Sequence, residues 1–209
     1  MSVILHDYWR SSAAYRVRIA LNLKGVAYTA RTVSLVDGEQ RGADNLDVNP
    51  QGFVPTLEID GHTLTQSLAI IDYLDATRRD PPMVPSDAAA RSRVLAMALV
   101  VAADIHPINN LRVLQYLKRE MRQEQGAIDD WYRHWVREGL TALEAMATGA
   151  GRFLGGDAPN LADVCLVPQL YNARRFDLDL SAFPTLSRVD AACDELDAFR
   201  RAAPEAVKP

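Results

Sequence analysis

Two adjacent hydroxyls, Ser11 and Ser12, stand between an apolar run at Val3, Ile4 and Leu5 and a stretch from Ala14 to Lys24. In that stretch Val17, Ala20, Leu21 and Lys24 fall at helical spacing before Gly25. The pattern predicts a strand, a short loop and a helix, with both serines at the helix N-terminus. That end of a helix carries unpaired N–H groups and a partial positive charge, so it favours an anion such as a thiolate. A serine hydroxyl placed there offers one more donor to a bound sulfur. Serine is also an ordinary N-cap, so on this segment alone thiolate binding and capping are both open readings of Ser11 and Ser12.

The elements that must position such a loop follow in order. A second strand is predicted over Tyr28 to Val33, then the segment Asn49-Pro50-Gln51-Gly52-Phe53-Val54-Pro55-Thr56-Leu57. Glu58 to Leu64 reads as a hairpin, because Asp60-Gly61 supplies the positive-φ turn that a tight two-stranded connection needs. Thr65-Gln66-Ser67 then opens a helix that runs through Leu74. This series resembles the thioredoxin-like N-terminal domain of the cytosolic glutathione transferases. The strings SSAAYRVRIAL, NPQGFVPTL and LTQSLAIIDYL are similar to the zeta class in particular, the class of maleylacetoacetate and maleylpyruvate isomerases, and the resemblance extends over nearly the whole chain.

The fold class expected is therefore an α/β thioredoxin-like N-terminal domain followed by an all-α C-terminal domain, the glutathione transferase fold. Arg78 to Asp87 is charged and proline-rich, which is linker chemistry, so the domains are placed at 1–80 and 88–209 with 81–87 between them. Beyond the linker, Val94, Leu95, Ala98, Leu99, Ala102 and Ile105 recur at three and four, as do Leu140, Leu143 and Ala147. Asn160-Leu161-Ala162-Asp163 reads as a capping box before a buried helix, so Asp163 is assigned to stability and not to catalysis.

Bulk properties fit a cytoplasmic enzyme. A chain of 209 residues supports one large or two small cores, and a formal charge of −4 without a basic tract argues against a nucleic-acid binder. No secretory leader is evident, and no apolar run approaches the roughly 20 residues that span a bilayer, so no membrane partner is expected. Cys165 and Cys193 lie far apart and His6, His62, His106 and His134 do not cluster, so no metal site is expected.

The resemblance implies glutathione as cofactor and assigns residues to it. The proline after Val54 is cis in this fold, which turns the Val54 backbone toward the cysteinyl unit; on residues alone the usual trans bond stands equally open. Gln66 and Ser67, at a helix start, receive the γ-glutamyl carboxylate. Gln51 reaches the glycyl end or is a solvated loop amide. Asp104 to Arg112 carries Pro107, which removes the bond to the Ala103 carbonyl and predicts a kink; His106, Asn109 and Asn110, at i, i+3 and i+4, are expected on one face. In similar isomerases that face reaches glutathione or the substrate pocket, and a histidine serving the backbone of the kink is the other reading.

The reaction implied is reversible addition of glutathione thiolate to a cis enedioyl double bond, rotation in the adduct, and loss of the thiol to give the trans isomer. A free thiol has a pKa near 8.5, so the site must lower it, with Ser11 as the donor and Ser12 as the alternative. Zeta-like loops commonly read Ser-Ser-Cys; here Ala13 takes the third position, so the nucleophile is the cofactor's sulfur and not a protein cysteine. The enolate and the substrate carboxylates call for guanidinium groups. By resemblance these are Arg10, Arg112 and Arg175, with Arg174 left as a surface charge. A homodimer is expected on the same ground. A general transferase that conjugates electrophiles, and a non-catalytic binding module of the same fold, are the alternative functions.

Overall fold

The computed structural model describes residues 2–209. The chain up to Pro82, together with Asp194–Pro209, forms one compact unit, and Met83–Cys193 forms a second.

The first unit is built on four short strands, β1 (Ile4–Asp7), β2 (Thr29–Thr32), β3 (Thr56–Ile59) and β4 (His62–Thr65), in the spatial order β2-β1-β3-β4. β1 runs parallel to β2 and antiparallel to β3, with Leu5 opposite Ala30 and Leu57. The parallel pair requires a crossover, which α1 (Ser12–Leu23) supplies. β3 and β4 are joined at Asp60 and Gly61, whose φ values of 52° and 81° are those the two-residue turn demands. α2 (Ala43–Val48) precedes the loop to β3, and α3 (Ser67–Thr77) packs on α1.

α1 departs from a simple amphipathic stripe, since every residue from Ala14 to Leu21 is buried, Arg16 and Arg18 among them. Arg18 is fully enclosed: Nη1 donates to both Asp7 carboxylate oxygens at 2.7 and 2.9 Å, Nη2 to the Trp9 carbonyl at 2.9 Å, and Nε to the Ala202 carbonyl at 2.9 Å. Burial pushes the Asp7 carboxyl up, and the Arg18 guanidinium pulls it back toward the ionised form. Lys24, just past the helix end, donates from Nζ to Asp75 and to the carbonyls of Arg78 and Pro81, fixing α1 to α3 and to the chain beyond it.

These bonds also explain why the chain end parts from the expected 88–209 domain. Ala202 accepts from Arg18 and Ala198 accepts from Asn22 Nδ2 at 2.9 Å, so α10 (Asp197–Arg200) and the four-residue α11 (Pro204–Val207) group with the strands.

The second unit is helical: α4 (Ala88–Leu99), a π-helical turn over Val100–Ile105, α5 (His106–Ile108), α6 (Leu111–Arg119), α7 (Gln125–Met146), α8 (Leu161–Arg175) and most of α9 (Pro184–Asp194). α7 buries Ile128, Tyr132, Val136, Leu140 and Leu143, one stripe at three- and four-residue spacing. It meets the π turn at Gly139, where a β-carbon would collide with the Ile105 side chain.

Two expectations need correction here. Taken as one helical run, Ala88–Arg119 is long and apolar enough by composition to cross a membrane, so an apolar run of that length does exist. Its buried side chains Val94, Met97, Ala98, Val101 and Ile105 belong to the unit's core. Near Pro107 the helix also does more than kink. Without the proline N–H the backbone widens into the π turn before it, and α5 stops at Ile108. Asn110 is extended, with φ −64° and ψ 148°, and caps α6 by accepting from the Arg112 N–H. His106, Asn109 and Asn110 therefore do not share one helical face.

The capping box on α8 forms as expected. Asn160 accepts from the helix start, and Asp163, fully buried, accepts from the N–H groups of Asn160 and Leu154, both at 2.9 Å. Burial pushes the Asp163 carboxyl up to about 6 in spite of these bonds. The unfolded chain releases this proton near 3.8 and the folded chain near 6, so the stability from this group is full below pH 3.8 and is lost as pH rises to about 6. Asp163→Asn should remove that slope, worth about 3 kcal/mol, and also lower stability because one of the two N–H groups loses its acceptor. Denaturant midpoints from pH 4 to 7 check this; equal slopes in the two proteins would refute it.

Candidate active site

Ser11 is the N-cap of α1 in the extended conformation, and its Oγ accepts from the Ala14 N–H at 3.3 Å. Capping and chemistry are thus compatible. The cap bond uses a lone pair of the hydroxyl and leaves its proton to donate elsewhere. Ser12 is the first helical residue and is buried, whereas Ser11 is half-buried.

The Val54–Pro55 peptide is cis, as the resemblance implied. Val54 packs with Tyr8 and Val33, and Trp9 lies against the same cluster. Trp9 in turn carries two cations: the Arg10 guanidinium 5.1 Å from its ring centroid and the Lys208 ammonium at 5.3 Å. Arg10 itself is exposed.

Gln66 is the N-cap of α3 at φ 67° and ψ 114°, a left-handed conformation that costs a non-glycine residue roughly 1–3 kcal/mol. Its Nε2 donates to Gln51 Oε1 at 2.7 Å, so these two candidate residues meet side chain to side chain. Ser67, the first residue of α3, is buried, and Arg16 Nη1 donates to its hydroxyl at 3.4 Å. Arg16 was not foreseen from the sequence. The signal was there in the string Arg-Val-Arg-Ile-Ala-Leu, where two cations interrupt a helix that is otherwise buried on all sides.

The remaining candidates lie in the second unit. His106 is half-buried in the first turn of α5. Asn109 is only 6% exposed, and both polar atoms of its side chain lack a hydrogen-bond partner among the described residues. Arg112 is exposed in the first turn of α6, where the helix dipole disfavours a cation. Arg175 ends α8, where the dipole favours one; its Nη1 donates to Asn172 Oδ1 at 3.2 Å and its guanidinium lies 5.1 Å from the Phe176 ring. Arg174 is half-exposed and paired with Asp190 at 2.6 Å. No group of histidine, cysteine and acidic side chains suited to a metal occurs among the described residues.

A mixed four-stranded unit with a cis-proline loop and a serine-capped helix, together with a separate helical unit, defines a glutathione transferase. Residues 10–77 match the glutathione S-transferase N-terminal domain family. The chain is 52% identical to a probable maleylacetoacetate isomerase of Vibrio cholerae, over 98% of this chain and 97% of that protein. Among solved structures, a zeta-class bacterial maleylpyruvate isomerase superposes with a TM-score of 0.96 at 46% identity, covering 98% of each chain. A maleylacetoacetate isomerase of Methylobacterium extorquens AM1, solved with bound malonate and GSH, gives 0.95 at 41% identity over 99% and 98%. The chain belongs to the zeta-class glutathione transferase family of maleylacetoacetate and maleylpyruvate isomerases.

The Gln66 backbone offers a direct test of whether this corner is built for stability or for binding. Gln66→Gly should raise unfolding stability by about 1 kcal/mol, as relief of the positive φ outweighs the added freedom of the unfolded chain. Gln66→Ala keeps the strained φ and should not raise it. Urea unfolding compares the three proteins; a glycine variant less stable than the alanine variant would contradict the assignment of strain.

Proposed function

We propose that this protein is a glutathione-dependent cis–trans isomerase of a maleyl keto acid in aromatic catabolism. It takes maleylacetoacetate to fumarylacetoacetate or maleylpyruvate to fumarylpyruvate. The observation that carries this reading is end-to-end likeness, at 46–52% identity, to isomerases of both substrates.

The residues of the first unit fit the tripeptide. Val54 is buried, and no hydrogen bond among the described residues uses its backbone N–H or carbonyl, so both can pair with a peptide ligand. Gln66, Ser67 and the start of α3 suit the γ-glutamyl carboxylate, with Gln51 held beside Gln66 for the rest of the peptide. Glutathione supplies a nucleophilic thiolate that adds reversibly to the substrate double bond. Ser11 donates its hydroxyl proton toward that sulfur, and the α1 N-terminus adds a favourable field. Ser12 is the alternative donor if the register of the loop against the sulfur is shifted by one residue.

Arg10, Arg112 and Arg175 receive the substrate carboxylates and the developing enolate oxygen. Arg112 is exposed in the first turn of α6, which leaves it accessible to a ligand. Asn109 supports the same reading, because a buried amide with no partner is costly unless a ligand or second chain takes it up. His106 and Asn109 are assigned to the glutathione of a facing subunit or to the substrate pocket, in a homodimer of the cytoplasm, while Asn110, expected beside them, spends its side-chain oxygen on the α6 cap. The mild negative charge supports the reading that nucleic acid is not a partner.

Isomerisation should require added glutathione and return it unconsumed. A thiol-free preparation that turns over a maleyl keto acid at full rate would defeat the proposal. Ser11→Ala should lower kcat/KM on the order of 100-fold and raise the pH at which the thiolate absorbance of bound glutathione appears. An unchanged titration would move the role to Ser12. Arg175→Ala should reduce turnover of the maleyl substrate strongly while conjugation of chlorodinitrobenzene, which carries no carboxylate, is nearly kept. Equal losses would remove Arg175 from substrate recognition.

A further inference from the structure

The contacts behind Arg175 extend this assignment to residues that touch no ligand. We propose that Tyr132 and Phe176 form a rigid aromatic mount that sets the Arg175 guanidinium, with Tyr132 a positioning residue for recognition of the substrate carboxylate. The inference rests on the reading of Arg175 given above.

An arginine has many rotamers to lose on binding, so a carboxylate clamp on an exposed helix end is effective only if that freedom is already limited. Arg175 is limited from two sides within its own unit: Asn172 accepts from Nη1, and the Phe176 ring lies beneath the guanidinium. Phe176 is held in turn by consecutive residues of α7. Its ring stacks on Tyr132 with centroids 3.6 Å apart and planes within 8°, and its carbonyl accepts from Arg133 Nη1 at 3.3 Å.

The stack itself has an unusual geometry. A centroid distance of 3.6 Å leaves almost no offset, and a face-to-face pair sets like ends of two quadrupoles against each other. A cation beside the pair offsets that repulsion, so ring pair and guanidinium stabilise each other. Tyr132 does not serve as an acid. It is 4% exposed, and burial pushes its pKa up to about 12. What it offers is the flat face.

The experiment compares Tyr132→Leu, Tyr132→Phe, Phe176→Leu and Arg175→Ala, reading kcat/KM for maleylpyruvate and for chlorodinitrobenzene together with KM for glutathione. Loss of the stack lets the guanidinium move, and a misplacement of about 1 Å costs up to about 100-fold. Tyr132→Leu and Phe176→Leu should lower the maleylpyruvate-to-chlorodinitrobenzene ratio about tenfold through KM for maleylpyruvate, with glutathione KM unchanged, and Tyr132→Phe, which keeps the face, should restore it. A purely structural role would lower both activities together and overturn the proposal. Should Tyr132→Leu not fold, the half-buried Phe176→Leu carries the comparison. If Arg175→Ala is selective for maleylpyruvate and the leucine variants are not, the mount fails while the arginine assignment stands. If Arg175→Ala is itself unselective, both fall.

Discussion

A single enclosed guanidinium organises the first unit. Arg18 joins β1 through Asp7, the loop before the candidate serine through the Trp9 carbonyl, and the end of the chain through the Ala202 carbonyl. Burying a charge costs several kcal/mol, and the cost is met only because every arm of the fork finds an acceptor. A hydrophobic side chain of similar volume would fill the space without fixing where Trp9 lies. The carbonyl of Trp9 is two residues from Ser11, so the register of the serine loop is set by a bond made beneath it.

The candidate residues sit at element ends, and each end is prepared in its own way. Ser11 caps α1 and keeps a proton to give. Gln66 holds a costly φ at the start of α3, and Ser67 behind it is buried against the Arg16 guanidinium. Arg175 sits where the α8 dipole favours it, and Arg112 where the α6 dipole does not.

Local chemistry was legible in the sequence because it depends on neighbours in the chain. Asp60-Gly61 has one good use between two short strands, and Asn160 with Asp163 can satisfy each other across one helical turn. The serine before an apolar helix specified its own cap. Gln66 gave no such signal, since its φ is imposed by β4 and α3 on either side and glutamine has no preference for it. For Arg16 and Arg18 the helix marks two cations on buried positions, but their partners Ser67, Asp7 and Ala202 lie on other elements that helical spacing does not identify. Asn110 was misplaced for a related reason. Helical spacing assumes that the helix continues, and the missing N–H of Pro107 ends it at Ile108.

The reach of Arg18 to Ala202 also has a consequence in time. The two residues are 184 positions apart, and the whole helical unit lies between them in the chain. At 5–20 residues per second a ribosome needs roughly ten to forty seconds to pass from one to the other. The strands and α1 are made early in that interval and wait for the acceptor of the Arg18 Nε, whereas the helical unit receives its last residue, Cys193, before Ala202 is added. Synthesis order therefore favours the inserted unit as the first to become complete, with the sheet closing around its buried charge only when the last helices emerge.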